Sequence, residues 1–134
     1  MEATKSSVLP VIRAATFWAP VTRPFPYSIL YYTDDAPDGG KLLRNKLAEF
    51  EKLYDTGLYT FTNYISGISV PVQIHQGTAD EAVPPGWSRD FVRNMGENGR
   101  DVTYFEYPGA DHNMSGSWDN VVARDIIFFG NHTR

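Results

Sequence analysis

The sequence predicts an α/β fold, with a small parallel sheet of about three strands flanked by helices. Three observations predict it. Runs dense in β-branched and aromatic residues recur at 11–19, 70–76 and 101–107. Amphipathic patterns of helical period lie between and after them. The segments joining the runs are long, and parallel strands need crossovers of that length, which return right-handed.

The elements follow in order. "VIRAATFWA" (11–19) reads as a buried strand. Pro20, Pro24 and Pro26 then take the chain out of the sheet, because a proline cannot donate to a ladder. The proline-rich, aromatic stretch 21–40 is a long excursion in which Tyr27, Tyr31 and Tyr32 either line a pocket or cover core. "KLLRNKLAEFEKLY" (41–54) is the clearest helix, with Leu43, Leu47, Phe50 and Tyr54 on one stripe and Gly57 as its stop. Residues 58–68 read as a bridge or broken helix. "VPVQIHQ" (70–76) is the second strand, and Thr78 to Pro84 the loop after it. Pro85 suits a first helical turn, and the helix runs to about Asn98, with Phe91 and Met95 inward and Gly96 and Gly99 ending it. "DVTYFEY" (101–107) alternates as the third strand, and "PGADHNMSGS" is a loop. "WDNVVARDIIFF" closes the chain as a helix, with Val122, Ile126 and Phe129 on one face.

Composition limits the functions. At 134 residues, 42% of them hydrophobic and 14% aromatic, the chain suits one domain (1–134) with a modest core. Its net charge is −4 and its twelve Lys and Arg are scattered, so nucleic acid is not an expected partner. With no cysteine there is no disulfide framework, thiol nucleophile or Cys-based metal site. No apolar run approaches the roughly 20 residues that span a bilayer. The N-terminus lacks a basic segment followed by a long apolar one, so a soluble, cytoplasmic protein is expected. The sequons at Asn113 and Asn131 are then chance matches.

In an open parallel sheet, ligand chemistry gathers beyond the carboxyl ends of the strands. Asp80 follows the second strand and His112 the third, so both loops open on one edge. Either residue alone could serve its own loop. Together, a carboxylate can fix the imidazole tautomer while the other ring nitrogen takes a proton from a hydroxyl. "VPVQIHQGTADEAVPPGWS" and "VTYFEYPGADHNM" resemble the last third of an α/β-hydrolase, most of all the dienelactone hydrolase and prolyl-oligopeptidase-like branch. The resemblance extends from about residue 11 to 129. It implies that Asp80 is the triad acid, His112 the triad base, 11–19 family strand six, and 20–68 an insertion that shapes the substrate pocket. Trp18, Tyr27, Tyr31 and Tyr32 are the pocket candidates.

The family's serine stands in Gly-x-Ser-x-Gly after strand five, which would precede residue 11. No serine in this chain replaces it cleanly. Gly67-Ile68-Ser69 leads into a strand, at the wrong end of the sheet. Ser88 falls in the first turn of a helix, where its hydroxyl is expected to bond locally. Ser115 and Ser117 follow His112 closely and reach it only if their loop folds back; Ser117 also suits the cap of the last helix. Ser6 and Ser7 are remote candidates. His75 is expected to be packed and hydrogen-bonded, and Glu81 and Asp111 to be solvated. Asp34, Asp35 and Asp38 lack calcium-loop spacing. No metal and no cofactor is implied, since Asp80 and His112 lack a third ligand.

A sheet of three strands leaves strand six as an edge carrying Val11, Ile12, Phe17 and Trp18, and such edges invite pairing. The expected partners are a second copy of the chain or a separate chain that covers this edge, besides a small ester or peptide substrate. The expected function is serine-hydrolase-like cleavage of carboxylic esters or acyl-peptide bonds by Asp80 and His112. The serine comes from Ser115, Ser117 or a partner chain, or water is activated directly. The alternatives are a non-catalytic remnant acting as a binding or assembly module, half of a split hydrolase, or a fragment with no independent role.

Overall fold

The computed structural model describes residues 11–132. Ser6, Ser7 and the Thr133 of the second sequon lie outside them. Strands β1 (Ala15–Trp18), β2 (Val72–Gly77) and β3 (Val102–Tyr107) form a single parallel sheet in that order. Trp18 faces His75 across one ladder, and Gly77 faces Tyr107 across the other. The excursion between β1 and β2 carries a short helix α1 (Tyr27–Leu30), helix α2 (Lys41–Glu51) and 3₁₀ turns at Tyr31–Thr33, Thr56–Tyr59 and Phe61–Gly67. Helix α3 (Pro85–Glu97) connects β2 to β3, and α4 (Trp118–His132) follows β3.

The first strand is shorter than its composition suggests, starting at Ala15 rather than Val11. In the register, Ala14 would face Pro71, whose nitrogen has no hydrogen to extend the ladder. Val11 and Ile12 are consequently exposed. β2 is the middle strand, and all six of its residues are buried. Its alternation splits them between two layers. Val72 and Ile74 meet Phe91 and Met95 of α3, with Ile65, in one apolar cluster. Full burial of each such side chain is worth about 1.5–3 kcal/mol. Gln73 and His75 turn to the other face and meet Asp125 of α4. A second cluster of Ala19, Val83, Trp87, Tyr107, Ala110, Met114 and Val121 lies beneath the loops that follow the strands.

Helix α3 starts at Pro85 as expected, with Phe91 and Met95 inward and Trp87 and Ser88 buried beside them. Gly96 remains inside it. The stop is Gly99, left-handed at φ +66°, after which the Arg100 amide donates to the Met95 carbonyl. Helix α2 ends at Glu51 rather than Tyr54. Its Leu43, Leu47 and Phe50 stripe is half-buried, and no residue of the helix is buried outright. Asp38 caps it by accepting from the Leu42 amide, and Asp34 pairs with Arg44.

The face expected of α4 is corrected. Val121 and Phe128 are its buried residues, Val122 and Phe129 are half-buried, and Ile126 and Ile127 are exposed. The helix is rotated so that Asp125 meets the strands. That rotation puts a polar residue on the inner face and an apolar one outside. Among the described residues, no helix is long and apolar enough to cross a membrane.

Candidate active site

β2 ends at Gly77, where the chain turns into the Asp80 loop, and β3 ends at Tyr107, before the His112 loop. Three hydrogen bonds hold the two loops together. The Thr78 amide donates to the Tyr107 carbonyl, the Ala79 amide to the Ala110 carbonyl, and the Gly109 amide to the Thr78 hydroxyl. The approach is close at Gly77, where any β-carbon would overlap the carbonyl oxygens of Ala110 and Asp111. Only glycine allows that contact.

The sequence-predicted pair meets here. The His112 ring presents Nδ1 to Asp80 Oδ2 at 3.0 Å. The Asp80 side chain is 0% exposed and that of His112 is 45% exposed. The carboxylate has three further donors. Its Oδ1 accepts from the backbone amides of Ala82 (2.9 Å) and Val83 (2.8 Å), and its Oδ2 from Gln76 Nε2 (3.0 Å). Because ionised Asp80 can only accept, Nδ1 must carry the proton for this contact to be a hydrogen bond. That leaves Nε2 with a lone pair, and no described residue hydrogen-bonds to it. An imidazole in this state can take a proton from a hydroxyl or a water, with Asp80 stabilising the imidazolium that forms.

Neither nearby serine bonds to this ring. Ser115 donates its hydroxyl to Asp111 Oδ2 at 2.8 Å and its amide to Oδ1 at 3.0 Å. These bonds, first the amide and then the hydroxyl, hold the Asp111 carboxyl below the usual carboxylate range. Asp111 thus closes the histidine loop. Ser117 sits just before α4, with its carbonyl accepting from the Val121 amide. Just before Ser115, Met114 is fully buried at φ +57°, a left-handed conformation that costs a non-glycine residue of order 1–3 kcal/mol and is held by packing. Glu81 is exposed, as expected. Ser88 corrects its expectation: its hydroxyl reaches back twelve residues to Gln76 Oε1 at 2.6 Å instead of bonding locally.

The aromatic excursion comes down beside the acid loop. Tyr32 donates its hydroxyl to the Ala82 carbonyl at 2.9 Å. Burial first, then the neighbouring Tyr31 and Asp80, raise the Tyr32 phenol above its ordinary range. Tyr31 packs edge-on against Trp87. An open groove of about 460 Å³ is lined by Tyr27, Leu30, Tyr31, Pro84 and Trp87 together with the charged Arg23, Asp34 and Arg44. Trp18, predicted alongside these tyrosines, is engaged elsewhere. It donates to Asp125 Oδ2 at 2.8 Å and stands edge-on to Trp118.

A second histidine–aspartate pair lies on the α4 side of the sheet. His75 is packed and hydrogen-bonded, as expected, with Nε2 at 2.9 Å from Asp125 Oδ1 and Nδ1 at 2.7 Å from the Tyr107 hydroxyl. Asp125 also accepts from Thr16, Trp18 and Gln73. Burial pushes the His75 imidazolium down, and Asp125 opposes that only in part. At Asp125 burial works upward, but the hydrogen bonds from Thr16, Trp18, His75 and Gln73 outweigh it and leave the carboxyl below its usual range. Asp125 and Gln76 carried no sequence signal of their own. Among the described residues, no three His, Cys, Asp or Glu side chains gather as a metal centre.

No family model and no curated protein matches this sequence. Solved structures do. A puromycin-hydrolysing peptidase of Mycobacterium tuberculosis matches 90% of this chain at a TM-score of 0.70 and 21% identity, over 18% of its own length. A truncated form of a carbohydrate esterase from gut microbiota matches 59% of this chain at a TM-score of 0.50 and 23% identity, over 28% of its length. This chain therefore spans less than a third of either neighbour. At such identities the likeness speaks for the fold alone: a three-stranded parallel sheet flanked by helices, as in the α/β-hydrolase fold.

Proposed function

We propose that Asp80 and His112 are the acid and the general base of a serine-hydrolase-type site that cleaves carboxylic esters or acyl-peptide bonds. One observation carries the reading. A buried, four-fold hydrogen-bonded carboxylate holds Nδ1 of a histidine whose ring is open to solvent and whose Nε2 has no described partner. General base catalysis of this kind is worth about 10²–10⁴-fold. The groove of Tyr27, Tyr31 and Trp87 would take an apolar or aromatic acyl group.

The nucleophile is proposed to arrive from beyond β1. The Ala15 amide donates to the Pro71 carbonyl just before β2, and the Ala19 amide to the His75 carbonyl within it. By alternation, the amides of Thr16 and Trp18 face the open side, as a template for another strand. Beside that edge lies an apolar groove of about 450 Å³ lined by Ile12, Phe17, Ile68 and Val70. A second copy or a separate front half, in the same cytoplasmic setting, would cover it. A strictly monomeric species in light scattering at high concentration would count against this part.

The test is hydrolysis of p-nitrophenyl acetate and butyrate by wild type, His112→Ala and the Ser115→Ala/Ser117→Ala double variant. The expected result is activity that vanishes in His112→Ala and persists in the double serine variant. Activity lost in both would move the nucleophile into the histidine loop. A wild type no faster than His112→Ala would mean that a separate chain carries the nucleophile, as in a split hydrolase, or would favour the second reading, a non-catalytic binding module. That reading draws on the bond that ties the Ser115 hydroxyl to Asp111.

A further inference from the structure

We propose that Gln76 and Ser88 form a buried relay that sets the orientation of Asp80, and through it the tautomer of His112. Gln76 is the last residue of β2 before the glycine, on the face towards α3, and Ser88 lies in the first turn of that helix. Both are fully buried. The inference rests on the Asp80–His112 reading and adds two positioning residues to it.

The hydrogen bonds run one way. The Ser88 hydroxyl donates to Gln76 Oε1 at 2.6 Å. The Gln76 amide nitrogen donates to Asp80 Oδ2 at 3.0 Å, and the carbonyls of Gly77 and Val83 lie at 3.2 and 3.3 Å from it. The amide orientation is therefore determined. A flip would set Oε1 against one carboxylate and two carbonyl oxygens, all acceptors, and would face the NH₂ group with the Ser88 hydroxyl. Ser88 thus holds the amide, and the amide holds Oδ2, the oxygen that also accepts from His112. The two loop amides of Ala82 and Val83 hold only Oδ1. Without Gln76 the carboxylate keeps its hinge at Oδ1 and loses the donor that aims Oδ2 at the ring. Dry surroundings make such a chain stiff when satisfied and costly when broken.

The experiment uses the full chain with ¹⁵N-labelled histidine and reads the ring nitrogens in long-range proton–nitrogen spectra at alkaline pH. The three histidines are assigned by single substitution. Wild-type His112 is expected as one tautomer, protonated at Nδ1. Gln76→Leu and Ser88→Ala are each expected to lose that single pattern, so that the two His112 nitrogens average towards one another. His75, held by Asp125 and Tyr107 on the opposite face of β2, keeps its pattern in both variants. A wild type without the Nδ1-protonated form would overturn the Asp80–His112 reading itself, and the relay with it. A wild type with that form, and variants that keep it while melting earlier, would overturn the relay alone and leave Gln76 and Ser88 as packing residues. Simultaneous loss of the His75 and His112 patterns would mean general disruption of the sheet and would likewise count against the relay. Should Gln76→Leu not fold, Ser88→Ala decides on the same signal, since it removes one atom.

Discussion

His75 and His112 each face an aspartate at hydrogen-bond distance, 2.9 Å and 3.0 Å, and the resemblance stops there. In the His112 pair the carboxylate is buried and the ring opens to solvent. In the His75 pair the ring is 0% exposed and the carboxylate 14%. His112 has one ring nitrogen held and one left over. Both nitrogens of His75 are taken, one by Asp125 and the other by the Tyr107 hydroxyl. The same two side chains therefore do different work. The first can exchange a proton with something that arrives from outside, whereas the second closes a hydrogen-bond account inside the sheet and ties α4 to β1 and β2. Distance alone does not make a site; the unoccupied nitrogen and its exposure do.

The sharpest way to break the inner pair is Asp125→Ala. It strips the acceptor from Thr16, Trp18, Gln73 and His75 at once. Each buried donor left unsatisfied costs about 1–3 kcal/mol, so four that lose their acceptor together amount to several kcal/mol. A fall of that order in urea-unfolding stability is expected, with Asp125→Asn milder. A smaller loss, of about 1–3 kcal/mol, is expected for Gly77→Ala, which pushes the acid and histidine loops apart by overpacking. Under the proposed function, its loss of p-nitrophenyl ester hydrolysis should exceed what the loss of stability explains.

The two pairs should also separate by pH. His75 has its folded value below its unfolded one, near 6.5. It is neutral in the fold, so acidification protonates the unfolded chain first, and the stability it contributes above that value is lost as pH falls from about 6.5 through its folded value. Asp125, also lowered, adds a further loss as pH falls below its unfolded value near 3.9. Urea midpoints measured at descending pH should therefore fall, and His75→Gln should flatten the upper part of that curve. The smallest effect on stability is expected from His112→Ala, about 1 kcal/mol for one lost hydrogen bond, because the ring is half exposed and Asp80 keeps three other donors. A larger drop would make His112 structural and erase the contrast between the pairs.

Much of this architecture is legible in the residues. Strands two and three lie within two residues of their expected bounds, and α3 starts where Pro85 places it. Asp80 and His112 were identifiable because each directly follows a strand, and parallel strands deliver their following loops to one edge. Where the structure departs from or adds to the local pattern, the cause is shared. Ile126 was assigned inward from helical period alone, yet Asp125 takes that face. Ser88 was read as a local bond, yet its acceptor lies on β2. Trp18 is a pocket candidate by sequence, and the structure adds that its indole reaches 107 residues along the chain to α4.

Hydrophobic period, proline and glycine positions and loop order are local properties, and from them the sequence by itself determined the element order, the parallel sheet and the meeting of Asp80 with His112. The tertiary structure alone decided which polar residues share a buried face. Asp125 meets Thr16, Trp18, Gln73 and His75 only once α4 packs across the sheet, and Gln76 meets Ser88 only once α3 covers the other face. A buried polar group must find a partner wherever packing brings one within reach. That partner is chosen by three-dimensional proximity, which no local pattern encodes.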